Sequence, residues 1–90
     1  MGERDLPRID FATFLVSLGT SVQIHLGLLA DPHTGKTEVR LTEAQQTIDI
    51  LEMLEEKTRN NLSKEEGNLL RHLLYELRVS FVAQKEKQSK

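Results

Sequence analysis

Ninety residues suit a single domain, and a chain of this size buries only about two thirds of its unfolded surface, so a lone subunit has a modest core that a partner would enlarge. Twelve Lys and Arg interspersed with 14 Asp and Glu give a formal net charge of -2, which excludes the broad basic field that holds nucleic acid by its phosphates. With no cysteine, a disulfide framework and a thiolate metal site are excluded too, and the cytoplasm is the default location.

Residues 1–8 read as a loose arm. Asp10 then stands where a carboxylate accepts from an orphan helix amide, with Ile9 and Phe14 at the two positions that staple the entering chain. On a helical period Phe11, Phe14, Leu15, Leu18, Val22 and Leu26 share one face, and Gly27 is placed to take the left-handed conformation that stops the helix. A competing pattern overlaps its end. Val22 to Leu28 alternates strictly and can pair with Thr37 to Leu41 around the Asp-Pro turn, giving as the alternative a small β-hairpin over about 21–41.

From Phe11 to Ala30 there is no Asp, Glu, Lys or Arg, which raises the question of a membrane. Thr13, Ser17, Thr20, Ser21, Gln23 and His25 interrupt the run, Gly19 and Gly27 break it further, and Asp10 abuts it, so a buried helix of a soluble protein is the first reading. Anchoring in a membrane through 11–29 is the alternative. A secretory signal is disfavoured by MGERDLPR, which carries two acids and a proline where a basic segment belongs.

Ala30 to Thr37 satisfies the loosest form of a phosphate-binding loop, a small residue, four others, then Gly-Lys-Thr. Such a loop needs a strand before it and a helix opening at the Gly-Lys-Thr itself, so that amides converge on the phosphates. Here a helix precedes, Thr37 to Leu41 is extended, and the next helix signal waits until Thr42. An ordinary Asp-Pro turn and no nucleotide is the expectation.

The second helix opens at Thr42 with Gln45 three residues on, a capping-box spacing, and continues through Ile48, Leu51 and Leu54 to Asn60-Asn61. The third opens at Ser63 with Glu66 three residues on, runs through Leu70, Leu73, Leu74, Leu77 and Phe81, and gives way to QKEKQSK. A short connection makes these two antiparallel, setting Leu54 near Leu70, Leu51 near Leu73 and Ile48 near Leu77. The predicted fold is all-α, three helices with the first packed on an antiparallel hairpin, in one domain over 9–83 followed by a disordered charged tail at 84–90.

Ile9-Asp10-Phe11, the turn from Asp31 to Lys36, the run from Gln46 to Leu54, Glu56-Lys57-Thr58, Asn61-Leu62 and Leu74-Tyr75-Glu76-Leu77-Arg78 together resemble a small bacterial family. It is a domain-of-unknown-function family, number eighteen forty-four, and the likeness covers about residues 9–82. The resemblance implies bacterial origin and a helical domain. It supplies no activity, substrate or catalytic residue.

Candidate chemistry is sparse. His25, His33 and His72 are scattered: the first falls beside an apolar stripe, the second in a turn near Asp31 and Glu38, the third one helical turn before Glu76. Glu52, Glu55, Glu56, Glu65 and Glu66 read as a charged face, with Glu55 four before Arg59. No metal, cofactor or catalytic residue is predicted, and the protein is expected not to be an enzyme. Asp49 and Arg78 sit in apolar surroundings and are predicted to form a structural ion pair. Opposite the core stripe of the first helix, Thr13, Val16, Ser17, Thr20, Gln23 and Ile24 occupy the face where a lone monomer carries Lys or Glu. They are the candidate interface of an isologous homodimer, and the predicted function is a protein-interaction or assembly module, with a further protein partner left open. Cover from the loop at 28–41 is the rival explanation of that face.

Overall fold

A computed structural model describes residues 8–89, so the arm expected at 1–8 lies, apart from Arg8, outside the described residues, as does Lys90. Three helices follow one another, α1 (Phe11–His25), α2 (Leu41–Lys57) and α3 (Lys64–Gln88), and each packs on the other two. No strand forms among the described residues. The protein is all-α.

At the start of α1, Asp10 is extended and its Oδ1 accepts from the Thr13 amide at 2.8 Å. The staple expected beside it is loose, for Ile9 remains 68 % exposed and Phe14 40 %, so the carboxylate fixes the helix start. At the other end the Leu28 amide donates to the Gln23 carbonyl and the Gly27 amide to that of Ile24, a Schellman closure with Gly27 at φ 76°. Glycine is required twice over there: a Cβ on it would meet Val39 Cγ2 at 2.9 Å. The β-hairpin alternative survives only as one antiparallel backbone pairing, Leu26 with Val39, and an Arg40 amide donating to the His25 carbonyl. Helical hydrogen bonds through Val22 to Leu26 outcompete the alternating pattern.

That tether also shifts the next helix. Because Arg40 is held against the end of α1, α2 begins at Leu41, one residue before the predicted cap, and Thr42 is already helical. The expected capping box with Gln45 is absent, and Gln45 Nε2 donates instead to Asp49 Oδ1 at 2.8 Å. Arg40 itself clasps Glu38, whose carboxylate holds the guanidinium pKa above its usual value. The box at α3 does form: Ser63 Oγ accepts from the Glu66 amide, and Glu66 Oε1 accepts from the Ser63 amide.

Nine side chains make the buried core: Leu15, Val22 and Leu26 from the first helix and its cap, Ala44, Ile48 and Leu51 from α2, and Leu70, Leu74 and Leu77 from α3. Leu74 therefore takes the centre that the predicted register gave to Leu73. Leu73 is half-buried and turned toward α1, its Cδ2 lying 3.2 Å from where a Cβ on Gly19 would stand. Gly19 is what lets α1 and α3 approach so closely.

The helix α3 also outruns its prediction. It continues to Gln88, through the residues that composition marked as a disordered tail from 84. Gln84 explains why, since its Nε2 donates to the Leu26 carbonyl and so ties the last turns of α3 to the end of α1. Beyond it Lys85, Glu86 and Lys87 are exposed, as a charged stretch should be. Both ties at the ends of α1 and α3 meet at one pole of the bundle, so the helices run up, down, up.

Candidate assembly face

Side chains of α1 at Thr13, Val16, Ser17, Thr20 and Gln23 are exposed, and Val16 keeps 51 % of its surface. Ile24, the sixth predicted member, is half-buried instead, lining a pocket of about 90 Å³ with His25, Asp31, Glu38 and Arg40. Loop 28–41 thus covers one end of the face. Ser17 donates its hydroxyl to the Thr13 carbonyl at 3.0 Å, which turns a polar group inward and leaves the surface there less demanding of water.

This face continues onto α3. Val16, Gly19, Thr20 and Gln23 form one wall of a groove of about 290 Å³, and His72, Leu73, Glu76 and Leu77 form the other. The close approach at Gly19 sets its depth. His72 Nε2 and Glu76 Oε2 stand 3.8 Å apart at the rim, both well exposed, so their pairing adds little. On its α1 wall the groove carries no charged side chain, and on its α3 wall Leu73 and Leu77 stand beside His72 and Glu76.

The predicted pair of Asp49 and Arg78 is not made. Arg78 donates through Nε (3.2 Å) and Nη2 to Glu52 Oε2, while Asp49 takes its bond from Gln45 on its own helix. Three residues separate the two acids, which turns Asp49 about 60° further from the core stripe and from α3. Glu52 also reaches one methylene longer. Neither member of the real pair is buried, with side-chain exposures of 50 % for Arg78 and 45 % for Glu52.

The Gly-Lys-Thr segment closes on itself. Asp31 accepts from the amides of His33, Thr34 and Gly35, the Lys36 amide bonds Thr34 Oγ1, and the Lys36 carbonyl takes the Asp31 amide. Amides that a phosphate loop would aim at a ligand are thus engaged within the turn, and no helix opens until Leu41. Among the described residues no three His, Asp or Glu side chains converge as metal ligands, and no helix is long and apolar enough to cross a membrane.

Two features escaped the sequence reading. One is an outward stripe on α3, Tyr75, Val79 and Val82, each more than half exposed, whose three-four spacing was visible but lay off the leucine stripe. The other is a cleft at the α2–α3 turn where Arg59, Lys64 and Arg71 meet. It needs the turn's geometry and could not be read from spacing.

Compared with family models, residues 8–83 match the family described as Domain of unknown function (DUF1844). No curated protein and no solved structure matches significantly.

Proposed function

For a chain that belongs to this domain-of-unknown-function family, we propose the role of a small assembly module that pairs with a second copy of itself through the outer face of α1 and the adjoining groove on α3. The observation that carries this reading is the exposure, together, of Thr13, Val16, Ser17, Thr20 and Gln23 with no Asp, Glu, Lys or Arg among them. On α1 such a face has no charge to match with a charged partner and matches itself under a two-fold axis, and the acid lining the adjoining groove is Glu76 beside His72. Small side chains let two copies approach closely, as Gly19 already does within one.

Size supports the inclusion of α3. A helix the length of α1 is about 22 Å long and about 10 Å wide, too narrow to supply the roughly 800 Å² per partner of a standard interface. With Leu73 and its neighbours the face is two helices wide, suited to a weak dimer. The reading includes no catalysis and no cofactor, and it places the protein in the cytoplasm, in keeping with its lack of cysteine. A further protein partner would use the same face.

The test is Val16→Lys. Since Val16 is half exposed, the monomer fold should tolerate the lysine, whereas an interface must bury its charge at a cost of several kcal/mol. Light scattering at tens of micromolar should give a dimer for the parent chain and a monomer for the variant. A monomeric parent, or a dimer indifferent to the lysine, removes the reading.

A further inference from the structure

Two glycines lie inside helices, and only one is needed for packing. Gly19 makes room for Leu73, but a Cβ on Gly67 would meet only Arg71 Nη1, at an ordinary 3.6 Å. In a helix interior glycine is the poorest former after proline, so its presence early in α3 has a local disadvantage that no neighbour explains. Gly67 lines a cleft of about 450 Å³ at the α2–α3 turn and adds no side chain to it.

Cations outnumber acids in the lining of that cleft. Arg59 comes from the turn, Lys64 and Arg71 from α3, and Glu55 is the single acid of the lining. None of the three cations forms an ion pair among the described residues; Arg71 only hydrogen-bonds Asn68. Helical periodicity puts Lys64 and Arg71 within about 60° of Gly67 and turns Glu65 about 160° away. Glu66 is occupied by the Ser63 amide. The amides of Lys64 and Glu65, which have no carbonyl to bond within the helix, add the positive end of a 25-residue dipole.

We propose that this cleft binds the phosphate group of a small phosphate monoester. Three separated cations and one acid leave a local excess of two positive charges, which suits a dianion with three free oxygens better than a monoanionic carboxylate. The two arginines offer forked donors, one from the turn and one from α3, and Gly67 puts no side chain between the cleft and the helix end. The site is separate from the α1 face and stands whether or not the chain dimerises.

The test is a titration of the full ¹⁵N-labelled chain with inorganic phosphate at about pH 8, where phosphate is mostly dianionic, against acetate at ionic strength matched with chloride. Saturable shifts of the Lys64, Glu65 and Gly67 amides with a millimolar Kd are expected for phosphate, at least tenfold tighter than for acetate. The double variant Arg59→Gln, Arg71→Gln, both exposed positions, should weaken phosphate at least tenfold with the spectrum otherwise preserved. Gly67→Ala should raise the melting temperature while weakening phosphate several-fold. Shifts that never saturate, equal binding of acetate, or affinity unmoved by both variants would overturn the assignment.

Discussion

Helices α1 and α3 do the same work toward the core and opposite work toward the outside. Each contributes three wholly buried residues, Leu15, Gly19 and Val22 from one and Leu70, Leu74 and Leu77 from the other. Yet α1 carries no Asp, Glu, Lys or Arg in 15 residues, while α3 carries nine in 25. Burying the inner stripe evidently does not require the outer one to be free of charge. Even the apolar stripe of Tyr75, Val79 and Val82 on α3 is flanked by Arg71, Arg78 and Lys85, which keep it wet. The bare outer face of α1 is therefore a property added to the fold, and assembly is the physical reason offered for it.

If the inner stripes are equivalent, the largest effects belong to their centres and fall away steeply across each helix. Leu74→Ala removes a wholly buried side chain shared by the bundle and should cost roughly 2 to 5 kcal/mol by urea denaturation. Leu73→Ala, half-buried against Gly19, should cost less than Leu74→Ala. Val79→Ala on the outer face should stay within about 0.5 kcal/mol. A Val79 loss comparable to that of Leu74 would mean that α3 is covered on its outer side as well, and the contrast with α1 would collapse.

The two helices also start differently, and acid should separate them. At α1 the Thr13 amide, bonding the Asp10 carboxylate, holds its pKa below the ordinary 3.8. A depressed carboxyl contributes stability that is fully present above that ordinary value and is lost as pH falls through the lower, folded one. Acid should accordingly loosen the start of α1, whereas the hydroxyl of Ser63 keeps capping α3. Asp10→Ala should lower the melting temperature by a few degrees at neutral pH. Asp10→Asn should retain most of the cap and lose this acid response. An acid response unchanged in Asp10→Asn would place its origin elsewhere.

How much of this was legible varied with the range of the interaction. Local signals read well: the Asp10 cap, the Gly27 stop and the Ser63–Glu66 box each depend on residues within a turn or two. Thr42 misled because a tertiary bond, Arg40 to the His25 carbonyl, fixed where α2 begins. The tail at 84–90 misled because Gln84 finds a carbonyl 58 residues away, which composition does not register. For the α1 face, helical periodicity placed five exposed residues correctly and missed Ile24, whose cover comes from a loop folding back. Its extension onto Leu73 depended on the register of α1 against α3, set by a glycine whose importance lies in what it lacks.

The smallest expected effect concerns how α3 uses its charges. Glu52 and Arg78 bridge α2 and α3 at a half-exposed site, where water screens the attraction and ordering two long side chains opposes it. Their coupling in a double-mutant cycle of Glu52→Gln and Arg78→Gln should come to no more than about 1 kcal/mol and shrink with added salt. The same cycle with Asp49→Asn in place of Glu52→Gln should return almost none, because Asp49 bonds Gln45 and lies about 60° further round α2. Coupling larger for Asp49 than for Glu52 would reverse the assignment and rotate α2 against α3.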